Sequence, residues 1–322
     1  MEVAFVCGAD DRFAMPLSIT LYSALSTLDR RVKPLIFVLD GGLQSRNKFK
    51  IEQCLRRAQP DLRLNWILPK LDDLEGLASS RLISRSTFLR LQIPDLLPES
   101  LDRAIYLDCD VIVRRDLLEL WTVSLDGKAC AGVRDFAFPT IASPGAVEHW
   151  PELNLEPSAP YCNAGVLLLD LKAWRQNRLG NRILMYLKEA GDKVMLADQG
   201  GINAILGGKW KLLDPRWNVT VSSLPLYDEV LGGVRTELLT SDPWIIHFTS
   251  RWKPWHFGVS DRNALAAFYH GENLRQHFFN AFQNSGWYSP GLSRLWVYSR
   301  KFLLAVLYKA PRKLRLGKWV PF

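Results

Sequence analysis

The 322-residue chain has few cysteines, and their spacing shows no pairing pattern. Its five cysteines lie far apart, at positions 7, 54, 109, 130 and 162. Their odd number and wide spacing exclude a disulfide-rich secreted scaffold and a four-cysteine zinc site. The cysteine usage therefore predicts buried free thiols in a reducing compartment.

Long apolar runs are absent as well. The longest are about six residues, as at 302–307, whereas a membrane-spanning helix needs about 20. The amino terminus carries no basic segment followed by an apolar stretch, so no signal peptide is predicted. We expect a cytoplasmic protein that is soluble or lies on a membrane surface without crossing the membrane.

Acidic residues are missing from the last stretch of the chain, 291–322. The formal charge of +8 comes from 41 Lys and Arg against 33 Asp and Glu, and the whole excess lies in this stretch. The rest of the chain is balanced, so a nucleic-acid partner is not predicted. Apolar residues of the stretch share one helical face, which predicts a basic amphipathic tail on the anionic inner face of a membrane. The alternative is that this face packs on the rest of the protein.

Short apolar runs alternate with helical patterns along the chain. Strands are predicted at 3–7, 35–39, 64–68, 104–107, 129–133, 165–169 and 244–248. Helices are predicted at 17–28, 44–57, 171–179, 183–189 and 198–206. This order predicts an α/β fold with a mostly parallel sheet flanked by helices, and its ligand beyond the carboxyl ends of the strands. Residues 139–160 are predicted to form an irregular loop.

Two aspartates interrupt the apolar run 105–113. Asp108 and Asp110 flank a single residue, so strand alternation places both carboxylates on one face. Like charges at that distance repel unless a cation lies between or beside them. An exposed turn is the alternative, because such a pair also arises by chance. The apolar flanks favour a metal site.

Polar residues at the ends of two other strands suggest a ligand. His247 ends the run 244–248, where an imidazole could complete a mixed oxygen and nitrogen site of the kind that manganese accepts. Lys253 could then meet a phosphate as a point charge. Asp10 and Phe13 follow the first strand, where a carboxylate and an aromatic ring could bind a base. The alternatives are a core histidine, a solvated lysine and a helix cap.

Further motifs follow in a fixed order: Ser86-Thr87-Phe88-Leu89-Arg90, Tyr161-Cys162-Asn163-Ala164-Gly165, Asp198-Gln199, Arg216-Trp217-Asn218 and His-Phe-x4-Lys-Pro-Trp. With the two aspartate motifs, this order resembles glycosyltransferase family 8. That family of retaining sugar-nucleotide transferases includes bacterial lipopolysaccharide galactosyl- and glucosyltransferases. The resemblance implies a GT-A fold, a Rossmann-like sheet, over 1–260. A connecting helical region, 261–290, and the basic tail, 291–322, would follow.

The resemblance also implies a role for each matching position. The implied contacts to uracil and ribose are Ala9, Asp10, Arg12 and Phe13. The implied ligands of Mn²⁺, or of Mg²⁺, are Asp108, Asp110 and His247, with Asp108 and Lys253 also on the nucleotide. The implied contacts to the donor sugar are Arg90, Asn163, Ala164 and Asp198. Gln199 would lie beside the anomeric carbon as nucleophile or oxocarbenium stabiliser, and Asp135 near donor or acceptor hydroxyls.

The implied activity is retaining, metal-dependent transfer of a hexose from a UDP-sugar to a hydroxyl of a glycan or lipid-linked acceptor. Two alternatives stay open. One is hydrolysis of a nucleotide diphosphate-sugar, and the other is a non-catalytic peripheral membrane protein with a degenerate sugar-nucleotide pocket. The expected partners are a UDP-hexose, the acceptor and, through the tail, an anionic membrane surface.

Overall fold

The computed structural model of the protein describes residues 1–77, 85–191, 194–226, 236–249, 253–255, 272–289 and 292. The strands of these residues are β1 (Glu2–Ala9), β2 (Lys33–Asp40), β3 (Arg63–Ile67), β4 (Arg103–Leu107), β5 (Val111–Val113), β6 (Cys130–Arg134), β7 (Cys162–Asp170), β8 (Lys211–Leu212), β9 (Val219–Thr220) and β10 (Ile245–His247). The helices are α1 (Ala14–Thr27), α2 (Ser45–Ala58), α3 (Ile93–Leu96), α4 (Leu117–Trp121), α5 (Leu171–Gln176), α6 (Leu179–Ala190), α7 (Ala197–Leu206), α8 (Thr236–Ser241) and α9 (Glu272–Ser285).

A seven-stranded sheet forms the centre of the molecule, in the order β3-β2-β1-β4-β7-β6-β8. Strands β3, β2, β1 and β4 are parallel, as predicted, whereas β7 runs antiparallel to both β4 and β6. Because β7 is reversed, its amino end lies at the same edge as the carboxyl ends of β1, β4 and β6. The first residues of β7 therefore join the ligand-binding edge of the sheet.

Both faces of this sheet are covered. Along β1, Val3, Phe5 and Cys7 belong to one apolar cluster, and the intervening Ala4 and Val6 belong to another. Successive side chains of a strand point to opposite faces, so this division shows that helices and loops bury the sheet on both sides. Each large apolar side chain buried in this way contributes about 1.5–3 kcal/mol to folding.

A second, three-stranded sheet places the acidic motif. Its order is β5-β10-β9, with Val111 of β5 opposite His247 and with Thr220 of β9 beside it. The run 105–113 is therefore two strands of different sheets, and the prediction that the two aspartates alternate along one strand is wrong. Asp108 and Asp110 lie in the turn that carries the chain from β4 to β5. The apolar flanks are buried because each lies in the interior of its own sheet.

The remaining predicted features have different outcomes. The segment 139–160 has no helix or strand, as predicted, and is held by a bridge between Thr140 and Pro160. Helix α9 lies inside 261–290 and packs on α1 through the apolar core, whereas the predicted tail 291–322, apart from Leu292, falls outside the described residues. All five cysteines are free and buried. Among the helices described, none combines the length and apolar character needed to cross a bilayer.

Candidate active site

Two neighbouring cavities open at the edge of the central sheet, with volumes of about 230 and 330 Å³. Their shared walls are formed by Thr87, Arg90, Asp108 and Asp110. The first cavity is also lined by Gly8, Ala9, Asp10, Phe13, Ser86, Tyr106, Cys109 and Lys253. Residues lining the second cavity include Asp135, Phe138, Asn163, Asp198, Gln199, Thr220, Ser222, His247 and Thr249. Two of the predicted site residues, Arg12 and Ala164, are absent from both walls.

The turn that holds Asp108 and Asp110, called the acidic turn from here on, contacts His247 where the two cavities join. His247 Nε2 lies 3.2 Å from Asp110 Oδ1 and 3.6 Å from Asp108 Oδ2. One ligand atom of each residue lies within 4.8 Å of the others. Two carboxylates and an imidazole are a donor set that Mn²⁺ accepts, and oxygen-rich sites also suit Mg²⁺. The residues present therefore fit a divalent cation.

A glycine in β7 makes this meeting possible. A Cβ atom on Gly165 would clash with the imidazole ring of His247 and would lie only 3.0 Å from Asp108 Oδ2, which is a tight contact. The carbonyl of Gly165 also accepts a hydrogen bond from the backbone N–H of Asp108 at 2.8 Å. Sequence reasoning gave Gly165 no role, although a glycine inside an apolar strand often marks such a close approach.

Lys253 lies against the acidic turn from the side of the first cavity. Its Nζ is 2.5 Å from Asp110 Oδ2 and donates to the carbonyl of Phe248 at the same distance. Burial by itself would raise the pKa of Asp110, but the ammonium of Lys253 brings it below its ordinary value. The carboxylate of Asp110 is therefore held in its charged form, which is the form that binds a cation.

Arg90 joins the acidic turn to the start of α7. Its Nη2 lies 2.8 Å from Asp108 Oδ1 and its Nε 2.6 Å from Asp198 Oδ2. Burial opposes the charge on Arg90, but the two carboxylates raise the pKa of the guanidinium above its ordinary value. Burial raises the pKa of Asp198 to about 6, with Arg90 acting in the opposite direction. Arg90 Nη1 also donates to the carbonyl of Ala164 at 2.6 Å, which gives Ala164 a backbone role.

A line of buried, hydrogen-bonded side chains begins at Nδ1, the other ring nitrogen of His247. His247 Nδ1 lies 2.9 Å from Asn218 Oδ1, and Asn218 Nδ2 donates to Asn163 Oδ1 at 2.8 Å. Asn163 is the second residue of β7, and Asn218 ends the short helical turn before β9. Sequence reasoning noted Asn218 only as part of a motif and assigned it no function. Its partners are distant in the chain, so no local pattern could identify them.

The same line continues into the second cavity. Asn163 Nδ2 and Gln199 Nε2 both donate to Asp135 Oδ2, at 2.8 and 3.0 Å. Gln199 Oε1 in turn accepts from the backbone N–H of Ala164 at 3.0 Å. Both ends of the Gln199 amide are therefore held, and its position relative to Asp135 is fixed.

The wall of the first cavity is built by a turn just after β1. The Asp10 carboxylate accepts from the backbone N–H of Arg12 at 3.0 Å, so it caps the short 3₁₀ turn Asp11–Phe13 rather than α1, which follows that turn. Asp10 also lines the cavity. The Arg12 guanidinium folds back to Asp10 at 2.9 Å, and its side chain is 71% exposed. The Phe13 ring packs edge-on against Trp255, with 6.2 Å between centroids.

Comparison with known proteins finds similarity to a known family. The family model described as Glycosyl transferase family 8 matches residues 4–258. General stress protein A of Bacillus subtilis (strain 168) is 30% identical over 258 residues, which are 78% of this chain and 86% of that protein. Lipopolysaccharide 1,2-glucosyltransferase of Escherichia coli (strain K12) is 32% identical over 200 residues, 62% of this chain and 57% of that protein.

Solved structures show the same fold. The galactosyltransferase LgtC, crystallised with donor and acceptor sugar analogs, aligns with a TM-score of 0.66 at 24% identity. That alignment covers 84% of this chain and 95% of LgtC. The bifunctional enzyme WbbM aligns with a TM-score of 0.70 at 21% identity, over 93% of this chain and 51% of WbbM. The expected α/β fold of the GT-A type is confirmed.

Proposed function

Because the chain belongs to glycosyltransferase family 8, we propose that it transfers a hexose from a UDP-hexose, with retention, to a hydroxyl of a glycan or lipid-linked acceptor. One observation carries this proposal. Asp108 and Asp110 lie in the shared wall of two cavities, and His247 completes the cluster from the second. A diphosphate bound at this wall would direct the nucleoside into the first cavity and the hexose into the second.

We assign a divalent cation, Mn²⁺ or Mg²⁺, to Asp108, Asp110 and His247. Once bound, it would neutralise charge that develops on the departing UDP. Lys253 supports the same task, since its ammonium lines the first cavity next to Asp110 and can pair with a phosphate oxygen. The chain thus offers positive charge where the leaving group would gain negative charge.

The residues around each cavity divide the donor between them. On the nucleoside side, we assign the ring of Phe13 to stacking on the base. The carboxylate of Asp10, beside Ala9, would accept a hydrogen bond from the base or the ribose. Arg12 would act through its ion pair with Asp10. On the sugar side, we assign Arg90, Asp198, Asn163 and the backbone of Ala164 to holding the hexose. Gln199 is assigned to the anomeric carbon, since both ends of its amide are fixed, and Asp135 to donor or acceptor hydroxyls.

The proposed location is the cytoplasmic face of a membrane, where a lipid-linked acceptor would be found. It rests on the basic tail 291–322, which holds eight Lys and Arg and no acid. Each basic residue near an anionic surface contributes about 1 kcal/mol to binding. Sedimentation with anionic vesicles tests this. We expect the full chain to sediment and a chain ending at residue 290 to stay in solution, and equal sedimentation would refute the proposal.

A screen of UDP-sugars for Mn²⁺-dependent UDP release, with and without glycan or lipid acceptors, tests the activity. We expect one UDP-hexose to give acceptor-dependent release and a glycosylated product that keeps the donor's anomeric configuration. Equal release of free sugar without acceptor would instead identify a hydrolase. Binding of UDP and Mn²⁺ without turnover would identify a non-catalytic binder.

Alanine at either aspartate of the acidic turn tests the metal assignment. We expect Asp108→Ala and Asp110→Ala each to lower kcat by at least about 10²–10³-fold, because charge stabilisation at the leaving group is lost. Circular dichroism should show that both variants are folded. Asp61→Ala, at an exposed aspartate outside both cavities, is the matched control. Near-normal turnover of either site variant in a Mn²⁺ titration would show that the assignment is wrong.

A further inference from the structure

We infer that Asn218 is a positioning residue, which fixes the tautomer of the metal ligand His247 and ties it to the residues beside the donor sugar. This inference rests on the proposed function for the identity of the ligands. Asn218 is fully buried, and its side-chain amide lies between His247 and Asn163. It contributes to neither cavity wall, so its effect must pass through these two neighbours.

The direction of every hydrogen bond in this line follows from the carboxylate of Asp135, which lies at the end opposite His247. The carboxylate of Asp135 accepts, so Asn163 presents its Nδ2 to Asp135. Asn163 Oδ1 then faces the other way, where it accepts from the backbone N–H of Gly165 at 3.0 Å and from Asn218 Nδ2 at 2.8 Å. The backbone N–H cannot be anything but a donor, so it confirms the orientation of Asn163 independently.

Asn218 passes this direction on to the imidazole. Since its Nδ2 donates to Asn163, its Oδ1 is the atom that faces His247 Nδ1 at 2.9 Å. A carbonyl oxygen only accepts, so His247 Nδ1 must carry the proton. In the neutral ring, His247 Nε2 is then a bare lone pair, 3.2 Å from Asp110 Oδ1. A lone pair facing carboxylate oxygens repels them, and a cation among them removes the repulsion.

The opposite orientation of Asn218 would undo the site. His247 would then be protonated on Nε2 and would donate to Asp110, so that the proton would occupy the place of the cation. Mutation of a residue that hydrogen-bonds to a metal ligand typically lowers metal affinity or activity by about 10–100-fold. Asn218 therefore acts on the cation through the ring that it orients.

The line also couples the two halves of the site. It runs from His247 on β10 through Asn218 and Asn163 to Asp135 and, from there, to Gln199 on α7. A buried hydrogen-bond network is most stable when every donor and acceptor in it is paired, and it loses stability sharply when one of them is left without a partner. The position of Gln199 beside the donor sugar is therefore linked to the orientation of the metal ligand.

Two variants of Asn218 separate these effects. Asn218→Leu removes both hydrogen bonds, and we expect the Kd for Mn²⁺, measured by calorimetry with UDP present, to rise about 10–100-fold. Asn218→Asp keeps an acceptor for His247 Nδ1 but sets an oxygen against Asn163 Oδ1. We expect that variant to keep a Kd for Mn²⁺ near the wild-type value while kcat falls about tenfold or more. Asn65→Leu, which removes an amide that bonds to the Ile36 carbonyl on β2, is the matched control and should change neither value.

The tautomer can be measured without metal or activity. In the metal-free chain at pH 8, where an ordinary imidazole is neutral, ¹⁵N NMR should show His247 protonated on Nδ1. A His247→Gln variant assigns the signal among the five histidines. We expect Asn218→Leu to lose this preference and Asn218→Asp to keep it.

Two results would overturn the inference: a wild-type His247 protonated on Nε2, or a folded Asn218→Leu chain with unchanged Mn²⁺ affinity. If Asn218→Leu does not fold, the wild-type tautomer and the Asn218→Asp variant decide the question. Failure of the wild-type chain to bind Mn²⁺ with UDP would refute the proposed function. The tautomer measurement would still stand by itself.

Discussion

The two cavities share a wall but are built in different ways. The first is bordered by a turn whose ion pair is local, since Asp10 and Arg12 bond to each other across two positions and Arg12 is largely exposed. The second is bordered by buried polar side chains from distant segments. Asn163 and Asn218 are 55 positions apart, and Asp135 and Gln199 are 64 apart.

This difference determines how each wall responds to change. A local turn keeps its backbone contacts when a side chain is shortened, and water replaces what is lost. A buried network has no such substitute, because a donor or acceptor left without a partner costs about 1–3 kcal/mol. We therefore expect substitutions to have large effects at the buried wall and small effects at the Asp10–Arg12 contact of the turn.

The largest loss of stability is expected at Arg90, which serves both cavities. Arg90→Leu leaves the carboxylates of Asp108 and Asp198 without their cation in a buried site. Removing one partner of a buried ion pair typically costs about 3–5 kcal/mol. We expect a loss of this size in the free energy of unfolding, measured by urea denaturation with the m-value checked.

The loss should also depend on pH. Burial already raises the folded-state pKa of Asp198 to about 6, and removal of the Arg90 cation raises it further. An acid whose folded pKa lies above its unfolded pKa loses stability as pH rises between the two values. Below about pH 6 the Asp198 carboxyl is protonated in both folded chains, so the difference between variant and wild type should be steady there. It should grow as pH rises from about 6 towards the higher pKa of the variant. Arg103→Leu, where the guanidinium bonds to the Trp121 carbonyl and lies over its ring, is the control. An equal loss in both variants would contradict a special role for the ion pairs.

Sequence patterns predicted the central sheet well because its strands are long apolar runs. Strands β1, β2, β4 and β7 each bury an almost continuous stretch, which is a signal that needs no partner to be recognised. Strands β8 and β9 were missed, since two residues carry no periodicity. Strand β5 was merged with the run before it, because the change of sheet leaves no mark in hydrophobicity.

The residues of the candidate site could be predicted from the sequence, but the contacts between them could not. The acidic pair, His247 and Lys253 stand out because charged or ionisable groups follow apolar runs, and the order of motifs gave the family, which the family model confirms. The orientation of His247 depends on Asn218, 29 positions away. Such a pairing is set by the register of β9 and β10, which no local pattern contains.

The smallest effect is expected at Arg12, although the family resemblance implies that this residue contacts the nucleotide. Arg12→Ala removes an exposed ion pair with Asp10, which is worth about 0–1 kcal/mol. The backbone N–H that Asp10 caps is kept. We therefore expect the KM for the UDP-hexose to rise by no more than about fivefold, the equivalent of 1 kcal/mol.

Phe13→Ala provides the contrast on the same turn, because its ring lines the first cavity and packs on Trp255. Loss of a stacking ring costs about 1–3 kcal/mol per base in nucleic-acid sites, so the KM should rise clearly more than for Arg12→Ala. If Arg12→Ala instead matched or exceeded Phe13→Ala with unchanged thermal stability, the guanidinium would have to leave Asp10 and bind the nucleotide directly. The first cavity would then depend on a charged contact that forms only with the donor, and its wall would be no more tolerant than that of the second.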